Sequence, residues 1–111
     1  RRAGGLGALL LGIPGADGLD YVGRVGSGFN DAGLVEAERL LEPLASDASP
    51  FVQVPSIDAK GAHWLRPELV GEVFFTERTS SGHLRHPVWI GWRPDLAPAD
   101  VRIEQPRQRG E

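Results

Sequence analysis

The chain has 111 residues, 41% of them hydrophobic and 24% charged, with no cysteine and a formal net charge of −3. That length supports one modest core and not two, and the lack of cysteine excludes a disulfide-stapled scaffold or cysteine-ligated zinc and fits a reducing cytoplasm. The acidic balance argues against a freestanding nucleic-acid binder, and the short apolar run Ala8 to Leu11 falls far below the length of a membrane span.

The chain opens at Arg1 on a loop-like "RRAGGLG" and contains no methionine, which reads as a segment of a longer protein. Leu6 to Ile13 is short and apolar and predicts a buried strand. Asp17-Gly18 is a hairpin turn signal. Beyond it Leu19, Tyr21, Gly23 and Val25 alternate with Asp20, Val22 and Arg24, predicting a second strand with Arg24 in opposite phase to Tyr21 and Val25. Gly26 to Gly28 ends that hairpin. Asn30 or Asp31 is a helix N-cap, with Leu34, Val35, Leu40, Leu41 and Leu44 on one stripe and Pro43 marking the end.

Residues 46–67 form a long connection rich in Ser, Pro, Asp and Gly, expected to be anchored by Phe51, Val54 and Trp64. Leu69 to Thr76 predicts one long curved strand with Gly71 as its bend or bulge site. After "SSG" turns the chain, Val88, Ile90 and Trp92 are expected on the core side of a last strand. Pro87 removes a ladder donor and so assigns Arg85 to the approach rather than to that strand. From Pro94 onward the chain is charged and proline-punctuated.

This order predicts an all-β domain with one helix. Four strands do not easily close a small barrel and five do, so the expected architecture is a five-stranded oligonucleotide-binding (OB) barrel whose first strand lies upstream of Arg1. The expected domain runs over 1–104, with a charged tail over 105–111.

Candidate chemistry is sparse. His83 and His86 flank Leu84-Arg85 on a turn that aims them poorly, no third donor stands near them in sequence, and His63 is alone in its loop, so no metal site is expected. No Gly-x-Ser-x-Gly elbow occurs. "GRVGSG" is superficially similar to a phosphate loop but lacks its Gly-Lys-Ser/Thr ending. Trp64, Trp89 and Trp92 suit either core packing or base stacking, with Trp89 and Trp92 expected on opposite faces. The arginines carry more: a guanidinium is always charged and its donor fork suits phosphate.

The stretch "GHLRHPVWIGWRPD" resembles the sixth, C-terminal motif of ATP-dependent DNA ligases, in which Arg-x-Pro precedes a strand and Arg-x-Asp follows it. Arg85, Pro87, Ile90, Arg93 and Asp95 match that pattern. "GLGALLLGI", "GLDYVGRVGSGF" and "WLRPELVGEVFFTERT" are similar to segments of the same domain, in the same order. The variety most similar is the bacterial ligase of non-homologous end joining.

The resemblance implies an OB domain that closes over ATP while a lysine of an upstream adenylation domain takes AMP. Arg85 and Arg93 would hold the phosphates, Asp95 would orient them, and Mg2+ would be held mainly by that other domain. It further implies that the domain then lies along nicked or broken duplex DNA, with Arg24, Arg66 and Arg78 as backbone contacts. A Ku-type end-binding partner and a cytoplasmic, nucleoid-associated location in a bacterium are implied as well. The family's adenylated lysine sits in Lys-x-Asp-Gly, which is absent here, so this segment is expected to be inactive alone. Leu96 stands where the family often has a lysine after the aspartate; Arg102, Arg107 and Arg109 are candidate substitutes. The competing readings are a stand-alone single-strand-binding OB module and an RNA ligase or capping enzyme of the same architecture.

Overall fold

The computed structural model describes residues 7–102. Strands β1 (Leu9–Gly15) and β2 (Gly18–Val25) form the expected antiparallel hairpin, turning through Ala16-Asp17. Their ladder contains a bulge. Leu11 pairs with Gly23 and Gly12 with Tyr21, which leaves Val22 as an extra residue on β2. A bulge shifts the side-chain phase by one. Tyr21, Val22 and Val25 are all buried, and Arg24 is brought to the same side as Tyr21 instead of the opposite one. The simple alternation read from the sequence is corrected here.

Helix α1 (Asp31–Leu41) starts at Asn30, whose side-chain oxygen accepts from the Gly33 amide at 2.7 Å. Asp31 in its first turn and Arg39 in its last complement the helix dipole. A 3-10 turn, Glu42–Leu44, carries Pro43 and ends the element. The inward stripe runs through Leu34, Ala37, Leu41 and Leu44, with Ala37 and Leu44 buried. Val35, expected on that stripe, is exposed because it sits one position off the three-four spacing.

The connection over 46–67 is tied down along its length. Ala45 and Leu65 form a bridge flanked by Ser46 N–H to Trp64 O (2.9 Å) and Arg66 N–H to Leu44 O (2.8 Å). Phe51 bridges Leu19 of β2 and sets its ring edge-on to Tyr21 (5.5 Å) and Trp64 (6.2 Å). The expected anchors Phe51 and Trp64 therefore serve as such, and Val54 is half-buried. Between them lies a short helix that the sequence did not announce, α2 (Ser56–Ala59).

Strands β3 (Gly71–Phe74), β4 (Glu77–Arg78), β5 (Leu84–Arg85) and β6 (Val88–Trp92) complete the fold, β3 pairing with β6 and β4 with β5. The long strand expected over Leu69 to Thr76 is shorter, only Gly71–Phe74 pairing as β3, and β4 follows beyond it. Pro87 has no amide hydrogen, and His86 takes φ 55°, a conformation costly outside glycine. Opposite them, Thr76 directs both its amide (3.0 Å) and its hydroxyl (3.1 Å) to the Arg85 carbonyl. Arg85 accordingly stands on the approach to β6, as Pro87 implied.

The second bulge lies at Ile90, where Glu72 pairs with Gly91 and Val73 with Trp89. Gly71 is not the bulge site. The displaced phase buries Trp89 and exposes Val88 and Ile90, the reverse of the expected facing. It also brings Trp92 onto the same side as Trp89, their rings edge-to-face at 4.7 Å.

Among the described residues the strands make three two-stranded sheets, so the closed five-stranded barrel is not formed by them. The His86–Pro87 break separates the short β4–β5 ladder from the β3–β6 ladder. The core gathers Val22, Val25, Ala37, Leu44, Val70, Phe75 and Trp89. The tail expected over 105–111 lies outside the described residues.

The "GSG" turn is locked to β6. Trp89 N–H donates to Ser27 O at 2.8 Å, and Gly28 has φ 98° with the Trp89 backbone in the space a Cβ would fill. Gly28→Ala is therefore expected to lose about 2–4 kcal/mol, combining backbone strain with an unyielding clash. Gly91→Ala, where the position is open, should stay within about 0.5 kcal/mol. Urea denaturation of the two variants checks the contrast.

Candidate functional site

Arg93 leaves β6 with its amide bonded to Val70 O at 2.8 Å, which fixes where its side chain begins. Asp95 is two residues on. Its carboxylate receives the guanidinium as a fork, Nε to Oδ1 at 3.0 Å and the terminal nitrogen to Oδ2 at 2.8 Å. The third nitrogen faces Glu72 Oε1 of β3 at 3.5 Å. The hydrogen bond from Arg93 holds the Asp95 carboxyl below the usual carboxylate range, and Asp95 in turn raises the guanidinium further above its ordinary value. One cation thus sits between two carboxylates at the surface.

Arg85, on β5, pairs through Nε with Glu77 Oε2 of β4 at 2.6 Å, the residue directly opposite in the ladder. Arg85 and Arg93 share no partner among the described residues, and eight residues of mostly extended chain separate them by up to about 26 Å. Each is a half-exposed guanidinium held by its own carboxylate.

Arg24 belongs to a different place. Its guanidinium lies 3.8 Å from Asp58 Oδ1 of α2, and the other oxygen of Asp58 accepts the Tyr21 hydroxyl at 2.8 Å. Burial, and then this bond to Asp58, push the Tyr21 hydroxyl well above the ordinary phenol range. Arg24 and Arg66 both line a cavity of about 830 Å³ bounded by β1, the 58–66 loop and the two tryptophans; Arg85, Arg93 and Asp95 do not. Arg66 is also a clasp, bonded to Glu68 at 3.0 Å and to the Pro43 carbonyl at 3.1 Å. Arg78 closes the β4–β5 turn by donating to Gly82 O at 2.9 Å and does not reach that cavity.

Sequence reasoning named the arginines and missed their partners. Asp95 at i+2 was visible. Glu72, Glu77 and Asp58 required strand register or the placement of a loop 37 residues from Tyr21, for which the chain carries no local signal. Leu96, in the position of the family's lysine, bonds its amide to the Arg93 carbonyl at 3.2 Å and offers no cation. Of the substitutes, Arg102 is exposed, and Arg107 and Arg109 lie outside the described residues. No three His, Cys, Asp or Glu side chains converge on a metal position among the described residues, where His83 packs edge-on against Tyr21 at 5.2 Å. No described helix is long and apolar enough to cross a membrane.

The tryptophans are not an open stacking platform. Trp89 is buried and lies parallel to Phe29 at 5.1 Å, Trp92 packs on Trp89, and Trp64 packs on Phe51.

Residues 2–96 match the family model for the ATP dependent DNA ligase C terminal region. The chain belongs to this family. It is 54% identical over 101 residues to the multifunctional non-homologous end joining protein LigD of Mycolicibacterium smegmatis, covering 90% of this chain and 13% of that protein. A DNA ligase of Hyperthermus butylicus is 36% identical over 118 residues, covering 91% of this chain and 19% of its own length. The crystal structure of the ligase domain of M. tuberculosis LigD superposes with a TM-score of 0.88 at 46% identity, covering 92% of this chain and 34% of that one. A mycobacterial DNA ligase D complexed with ATP and MES superposes at 0.85 with 48% identity, covering 93% of this chain and 35% of that one. The chain therefore spans about an eighth of the curated end-joining relative and about a third of the solved ligase domains.

In a pH titration followed by carbon NMR, Asp95 should titrate below the usual midpoint of about 3.9 and return toward it in Arg93→Ala. Because folding lowers this pKa, the pair's stabilisation is fully present above the unfolded carboxylate range and lost as pH falls through the folded value.

Proposed function

We propose that this domain serves two successive steps of ATP-dependent DNA sealing, one from each of its two arginine sites. The observation that carries the reading is the Arg93 site, a surface guanidinium at the mouth of β6 whose partners, Asp95 and Glu72, are exposed and exchangeable.

The donors fit a polyphosphate. Arg85 and Arg93 are half-exposed guanidiniums with forks suited to phosphate oxygens, and exposed carboxylate partners are weak competitors for a multiply charged anion. ATP, when bound, supplies the adenylyl group: the lysine nitrogen bonds its α-phosphorus as the bond to the β-phosphate oxygen breaks, and the β- and γ-phosphates leave as pyrophosphate. Arg93, with Asp95 fixing the plane of its fork, would hold that leaving group as charge develops on it, and Arg85 would add a second cation. The nucleophilic lysine belongs to the adenylation domain, since the only lysine here is Lys60 in "DAKG". Mg2+, likewise, would be held mainly there.

After adenylation the domain swings, and the Arg24 site meets duplex DNA. Contacts there are to the backbone, so they are independent of sequence and weaken with salt. Arg66 contributes from the same cavity; Arg78 is set apart and is the least supported of the three. The substrate in this reading is nicked or broken duplex DNA in bacterial end joining, in the nucleoid. A Ku-type end-binding protein is the partner this role calls for, and no described residue is assigned to it. A stand-alone single-strand binder is disfavoured, because its stacking aromatics would have to be free.

In the ligase that carries this domain, Arg93→Ala should lower enzyme–AMP formation from labelled ATP by roughly 10²–10³-fold. Sealing of a pre-adenylated nick should stay near the native rate. Unchanged labelling would remove Arg93 from the ATP step.

A further inference from the structure

The Tyr21–Asp58 hydrogen bond joins β2 to a loop that carries another cation. α2 ends at Lys60, whose amide caps the helix by bonding Ser56 O at 3.1 Å. Gly61 then turns the chain at φ 74° with open space around it. Lys60 is exposed, and its ammonium has no side-chain partner among the described residues, unlike Arg24, Arg66, Arg85 and Arg93, each of which faces a carboxylate. It lines the same cavity as Arg24 and Arg66. Asp58, two residues before it, faces Arg24 at 3.8 Å and is mostly buried, its side chain 18% exposed.

These facts give Asp58 a mechanical role. The hydrogen bond from the buried Tyr21 to one oxygen of Asp58 ties the loop to β2, and Arg24 and Lys60 line the same cavity. A lysine without a carboxylate partner meets a phosphate with no competing ion pair to displace. We propose that Lys60 is a second backbone-phosphate contact, set beside Arg24 by the Tyr21–Asp58 tie. Ile57, 83% exposed on the same short helix, leaves this edge uncovered by the rest of the domain. The inference rests on the reading of Arg24 as a DNA contact and extends it to a lysine outside the segments that carry the family resemblance.

The test is binding of a nicked duplex of arbitrary sequence by the intact ligase as potassium chloride is varied. Each phosphate contact contributes about 0.9 to the slope of log K against log salt. Lys60→Ala should lower the slope by that amount, and Lys60→Arg should restore it. Tyr21→Phe, which removes the tie but keeps the ring, should weaken binding and leave a following Lys60→Ala nearly without effect. Arg24→Ala separates the two claims. A reduced slope for Arg24→Ala with none for Lys60→Ala overturns the Lys60 contact and leaves the Arg24 reading standing. No change for either overturns the reading itself. Fully additive Tyr21→Phe and Lys60→Ala effects overturn the positioning by Asp58.

Discussion

Two β-bulges decide which way Arg24 and the tryptophans of β6 point. A strand alternates with period two, so residues three apart face opposite sides. Val22 inserted in β2 cancels that rule for Tyr21 and Arg24, and both reach Asp58. Ile90 inserted in β6 cancels it for Trp89 and Trp92, and both join one aromatic stack with Phe29. Remove either insertion and the polar site on one hairpin, or the packing floor beneath the other, turns to the wrong face. Both bulges sit inside formed ladders, and the described strands pair two by two.

The consequence is a domain with two separate cationic sites of different character. At Arg93 and Arg85 the carboxylates are close and exposed, and lie in the turn after β6 or on a facing strand. Such pairs hold a guanidinium in plane without binding it strongly, which suits an arginine that engages a phosphate transiently. At Arg24 the carboxylate is further away and largely buried, fixed by a tyrosine that is itself core. That arrangement fixes geometry and leaves most of the guanidinium facing solvent. In the proposed cycle the first site would make and release its contact around nucleotide transfer, and the second would give a stable footing on the duplex.

Much of this was legible in the sequence. The hairpin, the Asn30 cap, the end of the helix at Pro43, the Phe51 and Trp64 anchors and the break before Val88 all follow from local chemistry, in particular glycine, proline and capping residues. The arginines of "RHPVWIGWRPD" were legible through family resemblance and not through physics. What failed was phase. A bulge is set by the partner strand and by packing, and neither Val22 nor Ile90 differs in type from an ordinary strand residue, so Arg24, Trp89, Val88 and Ile90 were assigned to the wrong sides. The carboxylate partners failed for a related reason: Glu77 and Glu72 are fixed by register, and Asp58 by a loop docking from far along the chain.

If Arg93 and Arg24 serve successive steps, the domain must take two placements against the adenylation domain. This chain contains no cysteine, so a single cysteine at exposed Ala97, next to Arg93 and Asp95, gives a unique spin-label position within the domain. The decisive measurement is the distance from that label to one on the adenylation domain, by pulsed electron paramagnetic resonance in an otherwise cysteine-free ligase. A short distance is expected with ATP alone and a long one once an adenylated nicked duplex is bound. A single unchanged distance in both states would contradict it, because one fixed placement cannot present Arg93 to the nucleotide and Arg24 to the DNA in turn.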